Sequence, residues 1–307
     1  MRPAVVRLWA FLLVTVTLAT AETSPIRLAA GPDPVRAPPA ASAPVAFPNR
    51  QGSLKFAVLG DFGTGDREQY ELAAQLAALR QQFPLQLVVL VGDNIYGGDS
   101  PRDYQRKFEI PYAPLLDAGV KFYASLGNHD SRDQRFYQGF NMGGKLYYSF
   151  RAPEQSVRFF ALESTYVEPE QIAWVEQALN DATEDWKIAF FHHPLYSSGG
   201  KHGSESRLRE RLEPLFVRSN VSIVFSGHDH VYERVKPQKG ITYFVVGSGG
   251  KLRRGNIDPA SGLTATAFDS DQAFLAAEIW GDELTFRAVS RTGQVVDSGV
   301  ISRRRPQ

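Results

Sequence analysis

The residues of this chain that could do chemistry gather in five short segments. They are Gly-Asp-Phe-Gly at 60–63, Gly-Asp-Asn-Ile-Tyr at 92–96, Gly-Asn-His-Asp at 127–130, Phe-His-His-Pro at 191–194 and Gly-His-Asp-His at 227–230. The chain has six histidines; His129, His192, His193, His228 and His230 lie inside these segments and His202 follows the fourth closely. Carboxylate, phenol, amide oxygen and imidazole are hard or borderline donors, suited to divalent and trivalent cations. The chain has no cysteine, which excludes disulfides, zinc ribbons, iron–sulfur clusters and thiol nucleophiles. A Gly-Asp pair after a strand is common in α/β loops and says little alone. Joined in order with Gly-Asn-His-Asp and Gly-His-Asp-His, two such pairs point to a metal site. His228 and His230 can reach one site from a tight loop. Successive side chains of an extended chain point to opposite sides, so one of His192 and His193 is a donor and its neighbour a supporting residue.

Each segment sits where an element must deliver it. Apolar runs over 54–59, 85–91, 121–126, 157–162, 186–191 and 221–225 read as strands, each stopping at or just before a chemistry-bearing segment or a helix. Nearly continuous apolar runs suit strands buried on both faces. Helical spacing appears over 68–81 (Leu72, Leu76, Leu79), 169–179 and 208–216. Further strands are expected over 241–246, 273–279, 283–289 and 295–301; short turns separate the last three, which favours antiparallel pairing and points to a second sheet. Alternating strands and helices make an α/β domain, and in open α/β sheets ligands sit beyond the carboxyl ends of the strands.

Composition bounds the rest. Of 307 residues 43% are apolar and 12% aromatic, a globular profile. Lys plus Arg total 34 against 33 Asp plus Glu, a net charge of +1, which excludes a strong basic footprint for nucleic acid or anionic membrane. Arg2 and Arg7, an apolar run over 8–18 and the small residues Ala19-Thr20-Ala21 have the layout of a secretory signal peptide over 1–21. Residues 22–50 form a Pro/Ala-rich linker. The folded domain is expected over 51–307, in a secreted or periplasmic monomer with no membrane contact after cleavage.

The order GDxG, GDxxY, GNHD, xxxH, GHxH over 54–235, with Tyr-Ser-Ser-Gly-Gly-Lys-His-Gly at 196–203, resembles the purple acid phosphatase family of metallophosphoesterases, in its small, tartrate-resistant acid phosphatase-like type. Gly63 stands where general metallophosphoesterases carry a histidine, and Tyr96 enters the second motif; Ala189 replaces the family's usual valine at a strand position. The resemblance implies an α/β two-sheet sandwich flanked by helices and two metal ions. One, Fe(III), would be held by Asp61, Tyr96, His230 and a bridging Asp93; the other, Fe(II), Zn or Mn, by Asn128, His192, His228 and again Asp93. It implies hydrolysis of small phosphate monoesters by attack of a metal-bound hydroxide, with His129 and His202 contacting phosphate or protonating the leaving group, and Asp130 and Glu233 orienting ligands. The alternatives are a phosphodiesterase or nucleotidase on the same fold, or a non-catalytic metal- or phosphate-binding protein.

Overall fold

The computed structural model describes residues 46–305; the expected leader and most of the linker lie outside the described residues. In chain order the elements begin β1 (Leu54–Leu59), α1 (Arg67–Arg80), β2 (Leu87–Val91), α2 (Pro101–Tyr104), a π-helical turn (Gln105–Glu109), α3 (Ile110–Leu116) and β3 (Lys121–Ser125). Next come β4 (Tyr148–Arg151), β5 (Val157–Ala161), α4 (Pro169–Asn180), β6 (Trp186–Phe190), α5 (Ser206–Arg218), β7 (Ile223–Ser226), β8 (Tyr232–Val235) and β9 (Thr242–Val246). The chain closes with β10 (Thr264–Phe268), β11 (Ala273–Trp280), β12 (Glu283–Ser290) and β13 (Val295–Ser302). Among the described residues no helix is long and apolar enough to cross a membrane.

Two mixed sheets face each other. The first runs β13-β12-β11-β1-β2-β3 and the second β10-β8-β9-β7-β6-β5-β4. Phenylalanines from both sheets interlock between them: Phe56 meets Phe159 and Phe225 edge-on at centroid distances of 5.4 and 6.1 Å, and Phe244 meets Phe286 at 5.1 Å. Helices cover the outer faces. Leu72, Leu76 and Leu79 of α1 join Tyr112 and Leu115 of α3 against the first sheet; Val175, Leu179, Leu208, Leu212 and Phe216 of α4 and α5 cover the second. Truncating a ring such as Phe56 to Ala would cost about 3–5 kcal/mol, because removed contacts and an unfilled cavity add.

The expected two-sheet α/β sandwich is thus present, with one correction. The three C-terminal strands do not build the second sheet; β11 pairs antiparallel with β1 and carries β12 and β13 out along the first sheet. The reason is visible in β11, buried from Ala273 to Ile279: such a strand belongs beside a sheet's centre. The second sheet instead recruits β4, β8 and β10, which the sequence reading did not anticipate. Nor did it anticipate the helical stretch from Pro101 to Leu116. Pro111 and Pro114 argue against a helix by propensity, but Ser100 caps it with a reciprocal bond to Asp103, and Pro101 takes the first turn.

Strand direction places the site. β1, β2 and β3 are mutually parallel, as are β5, β6, β7 and β9. Their carboxyl ends converge on one edge of the sandwich, where the two sheets are stitched together: His192 Nδ1 lies 3.0 Å from the Val91 carbonyl, and the Gly249 N–H donates to the Gly60 carbonyl at 3.0 Å.

Candidate metal centre

Three of the expected ligands occupy the left-handed backbone region. Asp61 has φ +53°, Asp93 φ +51° and His228 φ +70°. Each follows a glycine at a strand end, so the chain reverses there and throws the side chain back over the sheet edge. Such conformations cost about 1–3 kcal/mol each and persist where surrounding structure imposes them. Three of them meeting at one point mark the site independently of residue type. Gly127 lets the third loop close on the second: a Cβ there would lie 2.2 Å from Asp93 Oδ1.

Gly63 explains why the first motif carries no third donor. A Cβ at this position would fall 1.8 Å from the Asn94 carbonyl oxygen, and the Gly63 carbonyl accepts from the Tyr96 N–H at 3.0 Å. The turn that presents Tyr96 fills the space a side chain at 63 would need, so the donor has moved from one loop to the next.

The seven expected ligands come together in two sets. In the first, Tyr96 Oη lies 3.2 Å from Asp61 Oδ1, 2.9 Å from Asp93 Oδ2 and 3.4 Å from His230 Nε2, and His230 Nε2 lies 3.4 Å from Asp61 Oδ1. In the second, His192 Nε2 lies 3.1 Å from Asn128 Oδ1, 3.2 Å from His228 Nδ1 and 3.4 Å from Asp93 Oδ1. Asp93 therefore gives one oxygen to each set. Donors bound at about 2.0–2.2 Å to a common ion stand roughly 3–3.5 Å apart, which is the spacing in both sets.

The electrostatics match. Asp61 and Asp93 are buried, and among the described residues no Lys or Arg forms an ion pair with either; their ionic neighbours are His230 and His192. Burial, and then repulsion from Asp93, holds the Asp61 carboxyl well above the ordinary carboxylate range. Burial also pushes the Tyr96 phenol far up, with Asp61 and Asp93 adding to it. The imidazoles move the other way: burial, and then His192, drives His228 down to about 2, and burial takes His230 down to about 4. His192 is lowered by burial too. Its Nδ1 faces a carbonyl, which can only accept, so Nδ1 carries the proton and Nε2 offers a lone pair to the set. Neutral imidazoles beside uncompensated buried carboxylates are costly by themselves and fit cations.

Around the sets lie the remaining expected residues. His129 is exposed; its N–H donates to Asp93 Oδ1 at 2.9 Å and its ring centroid is 5.1 Å from that of Tyr96. His202, also exposed, has its ring 4.1 Å from His228. His193 packs 4.3 Å from His228 with Nδ1 3.0 Å from Ser164 Oγ. It also offers a ring nitrogen within 4.8 Å of those of His192 and His228, beside the set to which His192 belongs. Asp130 accepts from the N–H groups of Asn94 (2.8 Å), Ile95 (3.1 Å) and Gly127 (2.8 Å), tying the second loop to the third. Its enclosed carboxyl is pushed up to about 7 by burial and by Asp93. Glu233 does not orient a ligand. It accepts from Ser198 N–H at 2.8 Å and from the Thr264 hydroxyl at 2.7 Å, fixing the loop that carries His202.

Two supports escaped the sequence reading. Buried Asp229 accepts from Ser197 Oγ at 2.6 Å and Gly203 N–H at 3.1 Å; its place between His228 and His230 was the available signal. Buried Lys107 donates to the Tyr96 carbonyl at 2.5 Å and pairs with Asp103 at 2.6 Å, holding the Tyr96 turn from a π-helical segment that no local pattern announces.

The chain is similar in sequence and fold to known phosphoesterases. The family model for calcineurin-like phosphoesterases matches residues 54–232. Purple acid phosphatase 17 of Arabidopsis thaliana is 27% identical over 245 residues, covering 68% of this chain and 72% of that protein. Tartrate-resistant acid phosphatase type 5 of Oryctolagus cuniculus is 26% identical over 238 residues, covering 64% and 73%. Among solved structures, purple acid phosphatase PPD1 from yellow lupin seeds superposes with a TM-score of 0.67 at 21% identity, over 84% of this chain and 55% of that one. GAP50, the anchor in the inner membrane complex of Plasmodium, has the same fold (TM-score 0.69, 20% identity, 83% and 90% covered).

Proposed function

This chain belongs to the calcineurin-like phosphoesterase family, and from that premise we propose that it is a secreted or periplasmic binuclear-metal acid phosphatase acting on small phosphate monoesters. The observation that carries the reading is Asp93, whose two oxygens are divided between two donor sets of matching geometry. Asp61, Tyr96, His230 and Asp93 would hold one ion, and Asn128, His192, His228 and Asp93 the other. When bound, such a pair supplies Lewis-acid chemistry: it neutralises phosphoryl oxygens and acidifies a water.

The protein's own groups divide the remaining work. Tyr96 would favour Fe(III) at its set, because a phenolate is an anionic, hard donor. The partner set, with one anionic and three neutral donors, suits a divalent ion such as Fe(II), Zn or Mn. His129, exposed beside Tyr96 and pinned by its N–H to Asp93, is placed to hold a phosphoryl oxygen or hand a proton to the leaving oxygen. His202 lies beside His228 and would contact the same group. The backbone strain at Asp61, Asp93 and His228 keeps the donors aimed before any ion or substrate arrives.

The GAP50 likeness shows that this fold also serves a protein described as an anchor, so the fold alone does not decide for catalysis; the retained donors support it. The test is elemental analysis and a visible spectrum of the purified mature protein, with hydrolysis of a phosphate monoester and a diester compared. Two ions per chain and monoester turnover support the reading. Preference for the diester moves the assignment to a phosphodiesterase, and inertness with any ion ends the enzymatic reading.

A further inference from the structure

The rim of the donor cluster carries cations that no carboxylate neutralises. They belong to the segment after β9, Ser-Gly-Gly-Lys-Leu-Arg-Arg-Gly at 248–255. Its backbone is tied to the site at three points: the N–H groups of Gly250 and Lys251 donate to the Asp61 carbonyl at 3.0 and 2.9 Å, and that of Arg253 donates to the His230 carbonyl at 2.9 Å. Lys251 and Arg253 are therefore held beside the Tyr96 set rather than on a free loop. Lys251 Nζ lies 4.9 Å from the Tyr96 ring centroid. Arg253 follows two residues later, anchored to the His230 segment by that backbone bond. Both side chains are half-buried, and among the described residues neither forms an ion pair or a side-chain hydrogen bond. Neither belongs to a donor set. Both belong to a segment fastened to the Tyr96 set.

We propose that Lys251 and Arg253 form a second anion subsite that selects phosphate esters and anhydrides whose leaving group carries a further phosphate. This rests on the phosphatase reading. A guanidinium and an ammonium beside the Tyr96 set can pair with a second phosphate while the first occupies the donor cluster. A substrate with a neutral leaving group leaves them unpaired and gains little.

The test compares inorganic diphosphate with 4-nitrophenyl phosphate on the metal-loaded protein. Lys251→Ala and Arg253→Ala each raise KM for diphosphate by about tenfold, the effect of one charge-assisted hydrogen bond, and raise KM for 4-nitrophenyl phosphate by less than about threefold. Lys251→Arg restores most of the diphosphate KM. Lys121→Ala, at the opposite end of the sheet, controls for net charge and moves neither. Equal changes on both substrates refute the subsite and leave only general attraction. If the wild type turns over neither compound, the phosphatase reading fails separately. Calorimetry with non-hydrolysable imidodiphosphate and with phosphate then decides the subsite: selective loss of imidodiphosphate binding in the variants supports it, and parallel loss overturns it.

Discussion

Replacing Asp93 with Asn should act with opposite signs in the metal-free and metal-loaded protein. Asp61 and Asp93 contact the same phenol oxygen at 3.2 and 2.9 Å. Carboxylate oxygens of the two lie within 4.8 Å of each other, and two full charges at that separation and an effective dielectric of about 20 repel by roughly 3 kcal/mol. Asn accepts φ +51° more readily than most residues. Its carbonyl oxygen keeps the His129 N–H, and its amide can donate to Tyr96 Oη while that hydroxyl donates to Asp61. The variant loses repulsion and no hydrogen bond, so the metal-free protein should gain about 1–3 kcal/mol at pH 8, with Tm rising by about 2–4 °C per kcal/mol. The pH dependence follows. A carboxyl whose folded pKa is raised, as for Asp61, stabilises the fold below its unfolded value, and that stability is lost as pH climbs through the folded value. Wild-type metal-free protein should therefore weaken from the ordinary carboxylate range upward, and Asp93→Asn should flatten that slope. With metal the order reverses. Saturating ions raise the wild-type Tm by mass action, about 2.7 kcal/mol at a hundredfold excess over Kd, and the variant should lose most of that rise and at least one ion. Calorimetric melts with and without chelator, read beside elemental analysis, check both halves. A metal-free variant less stable than wild type, or one that keeps two ions and the full rise, would refute the bridging role.

Tyr96→Phe should leave the protein folded by thermal melt and abolish the visible band of an iron-loaded sample; a persisting band removes Tyr96 from the coordination sphere. His129→Ala should lower turnover by about 10²–10⁴-fold, the range of a positioned proton donor, with metal content unchanged; full turnover sinks that assignment. His202 is held below its ordinary value, first by burial and also by Arg253, so it is charged only in acid. His202→Ala should weaken phosphate inhibition at acidic pH far more than at neutral pH, and a uniform loss across the profile would show that its charge is irrelevant.

The site was legible because its information is local. Gly-Asp, Gly-Asn-His-Asp and Gly-His-Asp-His each combine a turn and a donor within a few residues, and the turn and donor are the same event: the positive φ values fall on Asp61, Asp93 and His228 themselves. The sheet topology was not, because strand partners are chosen by non-local packing. β8 reads Tyr-Glu-Arg-Val, four residues with two charges at its centre, too short and too polar there to stand out. It becomes a strand because its polar groups find fixed partners elsewhere: Arg234 pairs with Asp297 at 2.8 Å, Tyr232 donates to the same carboxylate at 2.8 Å, and Glu233 takes Ser198 and Thr264. No window around residue 233 contains those partners.

The same distinction sorts the residues that shape the site without belonging to a motif. Lys107 reaches Tyr96 from a π-helical turn, and Lys251 reaches its ring from a loop more than a hundred residues later. Neither has a spacing that predicts the contact. Gly63 reads as a vacancy in sequence and as a steric requirement in space, because the Asn94 carbonyl occupies the volume its Cβ would take. The Tyr96 donor and the missing side chain at 63 are therefore one structural choice. Any side chain introduced at 63 must displace the 94–96 turn, and with it the phenol, before it could contribute a donor of its own. An added histidine at that position should for this reason replace Tyr96 in the set rather than join it.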